Sequence, residues 1–165
     1  MKYLKLILAS CLIFFLTSCA TKLSAKSSSD DQVKVKQEVL QLLEKEYNQK
    51  FKLLNFDYKY ENHINGATDC TFIYCKGKEY GTYYFKVQAV DNPIIIMNFQ
   101  IEDIDSLKAS IDYFKKKRLK TIYCSSFGKY WKYHKNDRKN NDLNKAIEFC
   151  NKIGQKEDYD NAWTQ

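Results

Sequence analysis

Near the start of this sequence, the thiol of Cys19 follows an apolar run after two small polar residues. Lys2 and Lys5 place two positive charges ahead of that run, and positions 6–16 supply a hydrophobic region of about ten residues. A region of that length is too short to cross a bilayer as a mature helix. The pattern therefore predicts an export signal that ends at a nucleophilic thiol.

The four residues at positions 16–19, Leu-Thr-Ser-Cys, resemble the lipobox of bacterial lipoproteins. The resemblance implies that signal peptidase II removes residues 1–18 and that Cys19 becomes a lipidated N-terminus. A second local match ends at Cys11, but it leaves a hydrophobic region of only a few residues, so we reject it. An ordinary secretory signal with an incidental cysteine is the alternative.

The location of the protein follows from this anchor. Lipoproteins of this type carry two or three acyl chains, which anchor stably where one chain does not. Ala20 stands where an Asp would retain an enterobacterial lipoprotein at the inner membrane. The resemblance therefore implies the outer membrane, facing the periplasm, in a host with two membranes, and the outer face of the membrane in a host with one.

The rest of the chain divides into two parts. Residues 19–32 are small and polar with no apolar period, which predicts a flexible tether behind the lipidated cysteine. Residues 33–165 are enough for one core, and they contain no internal repeat. We expect one domain, held to the bilayer through acylated Cys19.

Four cysteines remain once the signal is removed and Cys19 is lipidated. They are Cys70, Cys75, Cys124 and Cys150. An even number in an oxidising compartment predicts two disulfides. An extended strand would hold the ends of the 70–75 segment about 16 Å apart, beyond the roughly 4.4–6.8 Å that a disulfide spans, so that pair needs a tight loop. The turn-rich flanks favour such a loop, which leaves Cys124 to pair with Cys150.

Metal and catalytic chemistry find little support. The cysteines lack C-x-x-C spacing and the chain has only two histidines, His63 and His134, so we expect no metal and no cofactor. There is no G-x-S-x-G elbow, no H-E-x-x-H and no glycine loop for phosphate. The best catalytic candidate is Cys124 with Ser125, Ser126 and His134, and a disulfide is the favoured use of that thiol. We predict no catalytic residues and no enzyme; an unrecognised active site is the alternative.

Apolar periodicity predicts the elements that position these residues. A helix capped by Asp30 or Asp31 carries an apolar stripe from Val35 to Tyr47. Three strands follow, at about 51–60 with a bulge near Leu54 and Asn55, at 83–89 and at 94–101. Two further helices are predicted, one capped by Asp105 or Ser106 and one opened by Asp142 and stopped by Gly154.

These elements predict an α+β fold in which an N-terminal helix precedes a three-strand antiparallel meander and C-terminal helices, stapled by disulfides. The order of residues 33–101 resembles that of the cystatin-like group. The resemblance is one of topology only and identifies no functional residue in this chain.

Positive charge is concentrated in one segment. The mature chain has a net charge of +5, yet residues 115–139 hold ten Lys or Arg against Asp137 alone, which leaves the remainder at −4. Aromatic residues interleave with these cations, and the predicted partner-binding residues are Lys129, Tyr130, Trp131, Lys132, Tyr133 and Lys135. Such a surface suits an acidic protein face or anionic headgroups and glycans. Nucleic acid is not expected, because an exported protein seldom meets it.

A second interpretation of this charge stays open. Lysine, asparagine and tyrosine are all abundant, which is typical of an AT-rich genome, so the segment could be a solvated face without a partner.

From these features we expect a membrane-anchored binding protein of the cell envelope that resembles small immunity or inhibitor lipoproteins. Such a protein blocks a toxin or hydrolase that acts in the envelope. A structural or assembly lipoprotein of an envelope or secretion machine is the alternative.

Overall fold

The computed structural model describes residues 20–66, 68–70, 75–134, 136, 139–156 and 159, without the side chain of Lys129. The predicted signal peptide and Cys19 therefore lie outside the described residues. The elements are β1 (Thr21–Lys22), α1 (Ser29–Tyr47), β2 (Phe51–His63), β3 (Lys78–Ala89), β4 (Ile96–Asp103), α2 (Leu107–Lys117), α3 (Ile122–Ser126), α4 (Gly128–His134) and α5 (Asn141–Lys152). This content confirms the α+β class.

Strand β3 is the centre of a four-stranded mixed sheet. It pairs antiparallel with β2 along its whole length, and antiparallel with β4 from Gly81 to Gln88. Strand β1 pairs in parallel with Lys78 and Glu79, the first two residues of β3. At that point β2 already occupies one edge of β3. Strand β1 therefore lies along the opposite edge, which β4 leaves open because β4 ends at Asp103. The sheet thus differs from the purely antiparallel three-strand meander that the sequence predicts.

The bulge predicted in the first long strand is confirmed. The pairing register with β3 shifts between Leu53 and Asn55. The extra residue, Leu54, allows Phe51 and Leu53 before it and Phe56 after it to turn to the same face of the sheet. Without the bulge, one half of the strand would turn its apolar side chains to solvent.

The segment expected to be a flexible tether is instead fixed to the sheet between Thr21 and Ser28. The Thr21 N–H donates to the Gly77 carbonyl oxygen at 2.9 Å, and the Leu23 N–H donates to that of Glu79 at 2.8 Å. The Ser27 N–H donates to the Tyr58 hydroxyl at 2.8 Å. The physical reason is that β3 extends past β4, and its unpaired backbone groups find partners in this segment.

Two helix starts differ from those predicted. Helix α1 begins after Ser28, whose side chain caps it by accepting from the Asp31 N–H at 3.2 Å. Helix α5 is capped by Asn140 rather than opened by Asp142, whereas Ser106 caps α2 as expected. In both helices the observed cap lies close to the predicted one. Ser, Asn and Asp are all strong N-cap residues, so a nearby Asp competes with them for that position.

One hydrophobic core lies between the helices and one face of the sheet. Helix α1 buries Val35, Val39, Leu43 and Tyr47, the stripe that its periodicity predicts. Phe114 of α2 stacks on Phe99 of β4 with ring centroids 4.8 Å apart. This packing fixes α2 beside β4, which is an edge of the sheet.

Candidate functional site

The structure contains the two disulfides that the sequence predicts. Cys70 and Cys75 close a short loop at the start of β3, with Cα atoms 3.9 Å apart. Cys124 and Cys150 are fully buried and join α3 to α5, with Cα atoms 5.8 Å apart. A chain-entropy estimate gives about 2 kcal/mol for the first bridge and about 3.5 kcal/mol for the second, longer loop.

The best catalytic candidate is not assembled. Cys124 is bonded to Cys150, so it carries no thiol. The Ser125 and Ser126 hydroxyls donate to backbone carbonyls of their own turn, at 3.3 and 2.6 Å. The His134 ring stacks on Tyr130, and its Nδ1 lies 2.9 Å from the Tyr130 carbonyl oxygen. These side chains take part in a disulfide, in hydrogen bonds within one turn or in ring stacking, and they do not meet to form one site.

An acidic side chain and an imidazole lie near the first disulfide, and the contacts of both are structural. Asp69 accepts from the Asn65 N–H at 2.8 Å, and its carboxylate lies 3.3 Å from the Lys78 ammonium. The Asn65 N–H and then the Lys78 ammonium lower the pKa of Asp69. His63 stacks on Tyr80 with ring centroids 3.7 Å apart. Within the described residues, no three His, Cys, Asp or Glu side chains are grouped as metal ligands.

The cations at the end of α2 form an exposed charged surface. We call Lys115, Lys116, Lys117, Arg118 and Lys120 the basic pole; all five are exposed. None of them takes part in the salt bridges found among the described residues, which involve Lys34, Lys50, Lys78 and Lys145. Cations at a helix C-terminus are stabilised by the helix dipole, so the fold tolerates this cluster without acidic partners.

The structure separates the six predicted partner-binding residues. Tyr133 is 77% exposed and Lys132 lies over its ring at 5.9 Å. Tyr130 is half-buried and accepts from the Asn140 amide at 2.7 Å, while Trp131 packs edge-on against Tyr159 at 5.6 Å. Lys135 and the side chain of Lys129 lie outside the described residues. Trp131 therefore contributes to packing, and Tyr133 is the outward aromatic residue of α4.

Tyr47 holds the basic pole onto α1. Its buried hydroxyl donates to the Leu119 carbonyl oxygen and accepts from the Tyr123 N–H at 3.2 Å. Its ring also packs on that of Tyr123, 4.9 Å away, and burial raises the pKa of the Tyr123 phenol. Sequence reasoning placed Tyr47 in the apolar stripe and missed this bridge. The available signal was a hydroxyl at the end of an otherwise aliphatic stripe.

The basic pole and the start of the described chain lie at opposite ends of the sheet. Strand β1 and the Cys70–Cys75 loop lie at the N-terminal end of β3. At the other end, Phe51 pairs with Ala89, and Tyr47 beside it contacts the α2–α3 connection. The 12 residues of β3 span roughly 36 Å at about 3.3 Å per residue.

No protein-family model matches this chain, and no curated protein or solved structure matches it either. None of the described helices is both long and apolar enough to cross a membrane.

Proposed function

We propose that this protein is a lipid-anchored envelope binding protein of the immunity or inhibitor kind, which blocks an acidic toxin or hydrolase with its basic pole. The observation that carries the proposal is the set of five exposed cations that form no salt bridge among the described residues, toward the end of the sheet remote from Thr21. Exposed charge of one sign accelerates association with a surface of opposite charge. Tyr133 of α4, which is 77% exposed, is an aromatic residue of the kind that interfaces favour.

The short connection to the anchor supports a protein partner for this surface. If Cys19 carries the lipid, Ala20 alone separates it from Thr21, which is bonded to the sheet. Two residues of chain reach about 7 Å, so the start of β3 stays at the bilayer surface. With β3 pointing away from the lipid, the basic pole, whose Arg118 lies beside Tyr84 and Lys86, stands roughly 20–26 Å beyond the start of β3, more than two Debye lengths at physiological salt. Its cations then meet molecules other than the anchoring leaflet.

The helix-then-sheet order of residues 33–101, which resembles the cystatin-like group, is compatible with an inhibitor. This resemblance assigns no functional residue to the chain, so the proposal does not depend on it. An assembly lipoprotein that docks through the same cations is the second candidate, and it differs in the partner and not in the surface.

A charge-reversal experiment tests the proposal. Lys115, Lys116 and Lys117 are changed to Glu together, and Lys45, Lys52 and Lys152, which are also exposed, are changed to Glu as the matched control. Host cells that carry each variant are challenged with the envelope-acting toxins and hydrolases of their own species, and survival is counted. We expect protection to fall about tenfold or more for the first variant and to be retained by the control.

The same variants are measured in vitro. Purified protein is mixed with envelope extract, and hydrolysis of purified peptidoglycan is followed at low and high salt. Inhibition that weakens with salt and with the basic-pole variant supports the proposal. Equal protection and equal inhibition by both variants would refute it, and binding to an assembly complex without any inhibition would favour the second candidate.

A further inference from the structure

A groove runs between β4 and α2. Its volume is about 460 Å³, within the range of pockets that bind ligands, and Gln100, Glu102, Ile104, Tyr113 and Arg118 line it. Tyr113 is 63% exposed and Ile104 is 37% exposed, so the groove offers apolar surface to solvent. Arg118 also lines a second cavity of about 400 Å³ on the neighbouring face of the sheet.

The floor of this groove is the free edge of β4. In antiparallel pairing, the N–H and C=O of alternate residues point to opposite edges of a strand. The Ala89 N–H donates to the Ile95 carbonyl oxygen, so the odd-numbered residues of β4 face β3. The N–H and C=O of Gln100 and Glu102 therefore point outward into the groove. Among the described residues, no backbone group bonds to them from that side.

Among the described residues the outer edge of β2 is also unpaired, but it is protected in ways that β4 is not. Strand β2 carries a bulge after Leu53 and alternates charged residues along its exposed face, including Lys52 and Lys59. Bulges and lysines are the devices that keep other strands from adding to an edge. Strand β4 has neither a bulge nor a lysine; its exposed side chains are Asn98 and Gln100, and Glu102 is half-buried.

Charge gives the groove a direction. Glu102 and Asp105 lie at one end, where β4 leads into α2. Helix α2 runs back along β4, and Arg118 lies at the other end beside Asn98 with the rest of the basic pole. An extended segment in this groove is favoured when its acidic residue lies at the Arg118 end.

We propose that this groove binds an extended segment of the partner protein by adding it as a strand to β4, with an acidic side chain of that segment on Arg118. The inference rests on the proposed function and names how the partner is held. Main-chain hydrogen bonds from Gln100 and Glu102 supply affinity, as in other complexes formed by strand addition, and Tyr113 and Ile104 contact alternate side chains.

The test uses the full chain in detergent micelles and one synthetic probe, the peptide acetyl-Thr-Val-Thr-Val-Thr-Val-Asp-Asp-amide. Backbone amide shifts and hydrogen exchange are recorded by NMR as the peptide is titrated to millimolar concentration. We expect the Gln100 and Glu102 amides to shift and to exchange at least tenfold more slowly. The Phe99 and Ile101 amides, which already bond to β3, should not change and are the internal control. Absence of this alternation, or protection on β2 instead, would overturn the proposal.

Two variants separate the backbone and charge contributions. Gln100→Pro removes an outward N–H at a position where an edge strand tolerates proline, and should abolish the peptide effect while the melting temperature is retained. Arg118→Glu should weaken the Asp peptide about fivefold to tenfold and strengthen a peptide with Lys in place of Asp. Lys45→Glu, the same charge change at the end of α1, should alter neither. If Arg118→Glu leaves the preference for Asp over Lys unchanged, the assigned direction is wrong.

The protection assay distinguishes this inference from the function on which it rests. If Gln100→Pro folds and still protects cells while the basic-pole variant does not, strand addition is refuted and the proposed function stands. If neither variant loses protection, both proposals fail.

Discussion

Removal of the Tyr47 hydroxyl should destabilise the domain, because that single group serves two buried backbone partners. Tyr47→Phe leaves the Leu119 carbonyl oxygen and the Tyr123 N–H without the bonds they make now. Tyr123 lies in the first turn of α3, and Thr121 provides no side-chain cap there. The hydroxyl therefore acts as the cap of α3 as well as its link to α1.

The expected size follows from the burial of the three residues, which are all at most 4% exposed. Each buried backbone group left unpaired costs about 1–3 kcal/mol, so we expect a loss of about 2–4 kcal/mol in the free energy of unfolding. For a domain of this size that is a fall of roughly 5–15 °C in melting temperature. The ring stays in place, which separates the hydroxyl from the packing.

Denaturant unfolding of the oxidised protein measures this loss. Tyr113→Phe is the control, because Tyr113 is 63% exposed and its change should stay within about 0.5 kcal/mol. The denaturant dependence should be the same in all three proteins, since the surface exposed on unfolding is unchanged. If Tyr47→Phe is as stable as the control, the two hydrogen bonds do not stabilise the pole and the reasoning is wrong.

Three further predictions concern the anchor, the buried bridge and the packed tryptophan. Cys19→Ser should abolish lipid labelling in cells and leave an uncleaved or mislocated precursor, while Cys11→Ser should keep labelling; the reverse result would contradict the lipobox assignment. Replacing Cys124 and Cys150 together by Ser should lower the free energy of unfolding by about 3.5 kcal/mol, and non-reducing peptide mapping should find these two residues linked in the parent protein. Trp131→Ala should cost about 2 kcal/mol of stability because its ring is half-buried on the core; a variant with unchanged melting but weaker partner binding would make Trp131 an interface anchor instead.

Local patterns determined much of the fold. The apolar stripe of α1 and the change of parity in β2 each follow from residues close in sequence, and both are found in the structure. The pairing of Cys70 with Cys75 was predictable for the same reason, since a tight turn between them is a local property. Once that pair is assigned, and if Cys11 is removed with the signal and Cys19 is lipidated as predicted, Cys124 and Cys150 are left to pair, as the structure shows them.

The predicted anchor and the concentration of charge are also read from the sequence by itself. Residues 1–19 predict export and lipidation from composition and order alone, and the surplus of lysine after position 114 is visible by counting. Neither feature depends on which residues meet in space. The sequence could not rank Tyr133 above Trp131 as the outward aromatic residue, because both occur in the same short helix.

Tertiary structure decided whatever depends on partners distant in the chain. By composition, residues 21–28 are typical of a linker. They are fixed to the sheet because the N-terminal end of β3, 50 or more residues later in the chain, offers unpaired backbone groups. Trp131 turns inward because Tyr159 lies beside it, and Tyr47 caps α3 from 76 residues away. The groove beside β4 exists only because Phe114 stacks on Phe99 and sets α2 along a free edge. Composition and periodicity report what a residue prefers, whereas these features depend on which neighbours the fold brings to it.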